Sequence, residues 1–171
     1  MPIYFYETDI GKIAIVEKSD CVTNLYFAND KLPQDIQVYE TPILKEAAQQ
    51  LTSYLAGKLR EFSLPVAPAG TAFMKQVWTS LCEIPYGKTV SYKDIAAKIG
   101  NPNAARAVGL ANSRNPIPIF IPCHRVIGAD GSPIGYRGGI QLKRRLLEME
   151  NIEEYADFGI WSKRSRILEK Q

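Results

Sequence analysis

Residues 90–109 read VSYKDIAAKIGNPNAARAVG, and their pattern indicates two short helices joined by a tight turn. Ser91 is a suitable N-cap for the first helix, and Gly100 is the left-handed residue that ends it. The pair Asn101-Pro102 then begins a second, alanine-rich helix. Two helices connected in this way have the shape of a helix-turn-helix and favour DNA binding, although a helical hairpin that serves only packing fits the same pattern.

Arg106 lies among small residues in the second helix, where a nucleic-acid backbone can come close. Other cations near it in the sequence are candidates for phosphate contacts, with ordinary surface charge as the alternative interpretation. The net charge of +3, from 21 Lys and Arg against 18 Asp and Glu, permits an anionic partner without requiring one. The candidate phosphate contacts are Lys88, Lys93, Lys98, Arg114, Arg125 and Arg137.

The next segment, residues 115–128, reads NPIPIFIPCHRVIG. Its alternating prolines and β-branched residues exclude a helix and predict a stiff, buried, extended track. A thiol on such a track has one fixed line of attack, and the imidazole of His124 can accept the proton of Cys123. The dipeptide alone also fits an inert buried cysteine. Consecutive residues of an extended segment point to opposite sides, so the two side chains need a turn or a bridging water to interact.

The chain is predicted to form two domains, residues 1–70 and 71–171. Three β-rich runs, residues 3–7, 13–17 and 22–27, predict an antiparallel meander, and Thr41-Pro42 begins a helix that packs on it. Residues 63–70 are rich in Pro, Gly and Ala and serve as the linker. Thr71 caps the first helix of the second, mainly α domain, whose last helix covers residues 140–150.

Composition indicates a soluble globular protein, because 46% of the 171 residues are hydrophobic and the longest apolar stretch is broken by prolines. The N-terminus has neither a basic leader nor an apolar signal core, and the three cysteines are widely spaced. We expect a cytoplasmic monomer, or a nuclear one in a eukaryotic source, with no membrane contact. A single histidine and no CxxC pair argue against a metal site, and nothing resembles a cofactor loop.

Taken together, Pro122-Cys123-His124-Arg125-Val126, the upstream NPNAARAVG of residues 101–109, and Asn115-Pro116 resemble the O6-alkylguanine-DNA alkyltransferase family. The resemblance covers residues 73–150. It implies a ribonuclease-H-like α/β N-terminal domain and a winged-helix-like C-terminal domain with a helix-turn-helix. It also implies direct, irreversible, single-turnover transfer of an alkyl group to Cys123 from O6-alkylguanine, with O4-alkylthymine as a further candidate substrate. The partner is then double-stranded DNA, bound in the minor groove with the target nucleotide flipped.

The resemblance implies catalytic roles for five residues. Cys123 is the alkyl acceptor, His124 takes its proton through a water, and Glu150 orients the histidine. Asn115 braces the helix-turn-helix against the acceptor segment. Tyr92 assists base rotation and protonates the departing guanine.

Further residues are implied in binding. Arg106 fills the space that the flipped base leaves, and further DNA contacts come from Ser91, Ala105, Arg114 and Arg125. The guanine pocket is lined by Tyr92, Val126, Tyr136, Arg137 and Lys143. Relatives often carry Ser or Ala where this chain has Arg137, which leaves the width of the pocket open. Considered without the resemblance, Lys143 belongs to a solvated helix face with Arg144 and Arg145.

Two other functions fit the residues. A helix-turn-helix transcription regulator would leave Cys123 non-catalytic. A cysteine hydrolase would use Cys123, His124 and Glu150 repeatedly on acyl substrates. Lesion-binding relatives that lack the acceptor cysteine are disfavoured by the presence of Cys123.

Overall fold

The computed structural model describes residues 1–132 and 135–150, so the part of the predicted second domain from residue 151 onward lies outside the described residues. The chain forms two compact units. The first contains Met1–Ala69 together with Pro116–Phe120, and the second contains Gly70–Asn115 and the described residues after Phe120. The predicted division at residue 70 did not anticipate that the chain returns to the first unit for five residues.

The first unit is a four-stranded sheet covered by one helix. Strands β1 (Pro2–Thr8), β2 (Gly11–Lys18) and β3 (Cys21–Phe27) form the predicted antiparallel meander. A strand that was not predicted, β4 (Gln37–Val38), pairs parallel with β1 and gives the order β3-β2-β1-β4. Both β4 residues are exposed, so this strand carries no apolar pattern that the sequence could reveal.

The helix of this unit, α1 (Pro42–Leu55), begins where the sequence predicts. The Thr41 side chain accepts a hydrogen bond from the Leu44 backbone nitrogen, and Pro42 is in the first turn. One face of the helix is fully buried against the sheet through Leu44, Ala47 and Leu51. The sequence prediction of a small α/β unit is therefore confirmed.

Pro116–Phe120 packs within the first unit. The Leu25 backbone nitrogen donates to the Pro116 carbonyl at 2.9 Å, and the ring centroid of Phe120 lies 4.6 Å from that of Phe62. The segment is buried as predicted, but it is not one continuous extended track, because Ile119 has a φ of +76° and forms a turn with Phe120. Prolines at 116, 118 and 122 restrict their own φ angles and leave Ile119 free to turn. Such a φ is strained for a β-branched residue.

The second unit is mainly helical. Its helices are α2 (Ala72–Cys82), α3 (Tyr92–Lys98), α4 (Ala105–Ser113) and α5 (Ile140–Met149). A 3-10 turn covers Cys123–Arg125, and the short strands β5 (Val90–Ser91) and β6 (Val126–Ile127) pair in parallel. This pairing fixes the start of α3 beside the segment that carries Cys123. Within the described residues, no helix combines the length and apolar character needed to cross a membrane.

The connection between α3 and α4 departs from the prediction at one end only. Ser91 and Asp94 form a reciprocal capping box, and Gly100 ends α3 with a φ of +79°. The Gly100 and Asn101 nitrogens donate to the carbonyls of Ala97 and Ala96, which is a Schellman motif. The Ala104 nitrogen donates to the Asn101 carbonyl, so residues 101–104 form a turn between the two helices. Helix α4 begins at Ala105, without a side-chain cap, and the predicted start at Asn101-Pro102 is wrong.

We expect Gly100→Ala to lower the free energy of unfolding by about 1 kcal/mol, because an L side chain is strained at this φ. Among the described residues, no heavy atom lies within 4 Å of the added Cβ, so the expected penalty is backbone strain. Gly109→Ala is the matched control. Its Cβ would meet Tyr92 at an ordinary 3.9 Å inside a helix, where alanine is favoured over glycine. Urea unfolding measures the free energy of unfolding of both variants. Equal stability of the two would contradict the left-handed conformation assigned to Gly100.

Candidate active site

Cys123 lies at the start of the 3-10 turn and is 5% exposed. Its backbone nitrogen donates to the Ile121 carbonyl at 2.8 Å, and the Arg125 nitrogen donates to the Pro122 carbonyl at 3.1 Å. These two bonds reverse the chain direction at the cysteine. The turn replaces the extended geometry that would have pointed Cys123 and His124 to opposite sides.

Glu150, at the C-terminal end of α5, holds the two residues that follow the cysteine. Its Oε2 lies 2.7 Å from Nε2 of His124, and its two oxygens accept from Nε and Nη2 of Arg125 at 2.8 and 3.0 Å. Arg125 Nη1 donates to the Ile84 carbonyl at 2.7 Å. His124 and Glu150 are 0% and 1% exposed. The cluster therefore interacts in a low-dielectric interior, where such hydrogen bonds are strong.

The charges in this cluster follow from their surroundings. Burial alone would raise the pKa of Glu150, but His124 and Arg125 outweigh it and lower the pKa to about 2. Burial lowers the pKa of His124, against the opposing effect of Glu150. At neutral pH, Glu150 is thus a carboxylate whose permanent counter-ion is Arg125, and His124 is neutral. Since Glu150 is bound at Nε2, the proton of the neutral ring lies there and the lone pair lies at Nδ1.

The thiol of Cys123 is also neutral at rest. Burial raises its pKa, although a hydrogen bond from the Asn115 side chain and the positive charges of Lys143 and Arg137 lower it in part. The Asn115 side chain also donates to the Ile121 carbonyl at 2.8 Å. One asparagine therefore contacts both the Cys123 side chain and the backbone that leads to it.

Two tyrosines lie within electrostatic reach of Cys123. Burial raises the pKa of Tyr92, and a negative charge on Cys123 raises it further. The pKa of Tyr136 is raised well above its ordinary value by the same two causes, burial being the larger. Both phenols therefore keep their protons at neutral pH. Val126 is fully buried on β6, and Arg137 is exposed and donates to the Asn115 carbonyl at 3.3 Å.

The sequence around Lys143 suggested a solvated helix face, but the structure shows that this lysine is buried. Its side chain is 0% exposed, and Nζ donates to the Val126 carbonyl at 2.5 Å and to the Gly135 carbonyl at 3.4 Å. Burial lowers its pKa to about 8, against the raising effect of Cys123. Its hydrophobic stem and two carbonyl acceptors allow an ammonium group to be buried here.

Arg125 was predicted to contact DNA, and the structure corrects this prediction. The residue is 7% exposed, and its guanidinium is committed to Glu150 and the Ile84 carbonyl. It holds the carboxylate instead of a phosphate. The other predicted DNA contacts lie at or near the surface: Arg106 and Arg114 are exposed, while Ser91 and Ala105 are half-buried at the starts of α3 and α4.

Asn112 was not predicted from the sequence as a residue of the site. Its Nδ2 donates to the Cys123 carbonyl at 3.4 Å, and its Oδ1 is buried with no hydrogen-bond partner among the residues that the structure describes. A polar residue on the buried face of an alanine-rich helix is the signal that would have singled it out. Across residues 1–132 and 135–150, no group of three or more His, Cys, Asp or Glu side chains is placed to hold a metal ion.

The second unit thus combines a buried cysteine with a hydrogen-bonded cluster of His124, Glu150 and Arg125, and it follows a sheet unit; this is the arrangement of a two-domain protein with a cysteine-based site. The family model described as 6-O-methylguanine DNA methyltransferase, ribonuclease-like domain, matches residues 3–68. The model for the DNA binding domain of the same family matches residues 72–152. The chain belongs to the 6-O-methylguanine DNA methyltransferase family, with its two-domain architecture.

Individual relatives agree with this assignment. A methylated-DNA--protein-cysteine methyltransferase of Methanosarcina barkeri is 49% identical over 84% of this chain and 93% of its own length. The constitutive enzyme of that name from Bacillus subtilis is 46% identical over 85% of this chain and 93% of its own. The crystal structure of Mycobacterium tuberculosis OGT in complex with DNA superposes with a TM-score of 0.83 at 43% identity, covering 88% of this chain and 92% of that one.

Glu150→Gln should destabilise the protein by about 3 kcal/mol at neutral pH, because it leaves Arg125 buried without its counter-ion. The pKa of Glu150 is about 2 in the folded chain against an ordinary 4.5, so its stabilisation is fully present above pH 4.5 and is lost as pH falls toward 2. Urea unfolding over this acid range should show a flatter pH dependence in the variant. Glu148→Gln, at an exposed position on the same helix, is the control. Parallel pH profiles for wild type and Glu150→Gln would refute the buried carboxylate.

Proposed function

We propose that this protein repairs DNA by transferring an alkyl group from O6 of guanine to its own Cys123. The observation that carries the proposal is the placement of the buried Cys123 thiol on the turn that also carries His124, with the Glu150 carboxylate 2.7 Å behind the imidazole. The names of the relatives describe methyl transfer from DNA to a protein cysteine, and the M. tuberculosis relative was crystallised with DNA. Repair of this kind consumes one protein molecule for each lesion, because the alkyl group stays on Cys123.

The transfer step is a displacement at the carbon bonded to O6. The Cys123 sulfur forms the new S–C bond, the C–O bond breaks, and its electron pair stays on guanine O6. His124 takes the thiol proton through a bridging water, and Glu150 stabilises the imidazolium. Tyr92 supplies a proton to the departing guanine and is reprotonated from solvent. The thioether product has no activated carbonyl to hydrolyse, so the cysteine is not regenerated.

The charges of the resting site indicate when, during the reaction, the Cys123 thiol loses its proton. Because burial raises the pKa of Cys123 and lowers that of His124, the thiol and the imidazole are both neutral before the substrate arrives. Proton transfer is then coupled to attack, and Lys143 and Arg137 stabilise the negative charge that develops on sulfur and O6. Asn115 positions the thiol, while Val126 and Tyr136 line the guanine pocket.

Helices α3 and α4 are proposed as a helix-turn-helix in a winged-helix-like domain that binds double-stranded DNA as a monomer. Small residues on α4, Ala105 and Ala107, let the helix enter a minor groove about 6 Å wide. Arg106 fills the stack that the flipped O6-alkylguanine leaves. Ser91 and Arg114 contact the backbone. The second unit, without residues 116–120, is the DNA-binding and acceptor domain in this proposal.

Cys123→Ser should abolish transfer and leave binding to alkylated DNA intact, since oxygen is a far weaker nucleophile and the surface is unchanged. The protein is mixed with an oligonucleotide duplex carrying O6-methylguanine, and the peptide containing residue 123 is analysed by mass spectrometry. One methyl group is expected there in wild type and in the control Cys82→Ser, whose thiol is exposed. Transfer by Cys123→Ser at the wild-type rate would exclude this acceptor, and turnover of an ester by wild type would favour a hydrolase.

Arg106→Ala should slow repair of duplex DNA by at least tenfold and leave reaction with free O6-benzylguanine nearly unchanged, because the free base needs no flipping. Rapid-quench kinetics on the two substrates measures the difference. Arg60→Ala removes the same charge at an exposed position in the first unit and should affect neither substrate. Equal losses on both substrates in Arg106→Ala would assign the arginine to the fold or the pocket.

A further inference from the structure

Leu110 occupies the middle of the outward face of α4. The inward face of this helix carries the buried residues Val108, Ala111 and Asn112. At 100° per residue, Arg106, Leu110 and Ser113 lie on the opposite side. Leu110 is 51% exposed, so half of its side chain takes no part in the packing of the second unit.

The polar group nearest to Leu110 on this face is already used. Ser113 Oγ donates to the Leu110 carbonyl at 2.7 Å, which turns the hydroxyl back onto the helix. Arg106 lies one turn earlier and is exposed. The outward face of α4 therefore presents a cation followed by an apolar surface, and not a row of hydrogen-bond donors.

We propose that Leu110 selects DNA over RNA by packing against deoxyribose in the minor groove. This inference rests on the proposed function, in which the outward face of α4 enters the groove. The walls of a B-form minor groove are sugar edges that offer C–H groups to an apolar side chain. In an A-form duplex the groove is wide and shallow and displays 2′-hydroxyls. A hydroxyl covered by leucine loses its water and gains no hydrogen bond, which is unfavourable.

The geometry also explains why the side chain should matter for affinity. Covering the exposed half of a leucine removes apolar surface from water, and the expected gain corresponds to about fivefold in affinity. Leu, Ala and Gln have similar helix propensities, so substitutions here leave α4 intact. Leu110→Gln adds a group that can hydrogen-bond a 2′-hydroxyl at nearly the same length.

The test compares two duplexes of one sequence that contain O6-methylguanine. One is all DNA, and the other has ribonucleotides on both sides of the lesion. Wild type should bind and repair the all-DNA duplex better. Leu110→Ala should bind it about fivefold more weakly, and Leu110→Gln should reduce the preference for DNA over the ribonucleotide duplex by a similar factor. Val38→Gln, at a position 61% exposed in the first unit, is the matched control and should keep the wild-type preference.

An unchanged preference in Leu110→Gln would overturn the inference. So would a loss of reaction with free O6-benzylguanine in Leu110→Ala, because Leu110 would then support the pocket or the fold. Failure of the proposed function has a different signature, which is the absence of methyl transfer from either duplex to wild-type Cys123.

Discussion

The site depends on the hydrogen bonds and the ion pair that the buried Glu150 carboxylate makes with His124 and Arg125. This carboxylate joins three stretches that are distant in sequence: the end of α5, the turn of Cys123–Arg125, and, through Arg125, the Ile84 carbonyl after α2. Removing water from these charges is unfavourable, and the arrangement is stable only because the Glu150 carboxylate and the Arg125 guanidinium both have hydrogen-bond partners. The position of the Cys123 thiol is therefore set by the bonds of the two residues that follow it in the chain, His124 and Arg125.

The same network positions the Cys123 thiol without ionising it. A histidine beside a carboxylate is usually expected to be charged, yet here Arg125 neutralises much of that carboxylate and burial keeps the imidazole neutral. The cysteine is thus held in place and protected as a thiol. In a protein that can react only once, a permanently exposed thiolate would be spent on any electrophile, and this arrangement limits that loss.

Local patterns predicted much of the fold, because caps and glycines act within a few residues. Ser91 and Gly100 bound α3 as expected, and the antiparallel meander followed from three β-rich runs separated by turn residues. The errors at Arg125 and Lys143 have a different cause. Charged side chains are usually exposed, and only partners distant in sequence, Glu150 for the arginine and backbone carbonyls for the lysine, make their burial possible. Candidate catalytic residues were identified by their resemblance to a family, which local patterns alone do not supply.

The return of Pro116–Phe120 to the first unit bears on how such proteins can be recombined. Five residues encoded in the C-terminal half complete the hydrophobic packing of the N-terminal half, with Phe120 against Phe62 and the Pro116 carbonyl bonded to Leu25. A chimaera of two relatives joined at residue 70 would pair this segment with a foreign surface. Exchange of the first unit is compatible with a native core only when residues 116–120 are exchanged with it. The segment that can be exchanged as a unit is thus discontinuous in sequence, and its second part, Pro116–Phe120, ends three residues before Cys123.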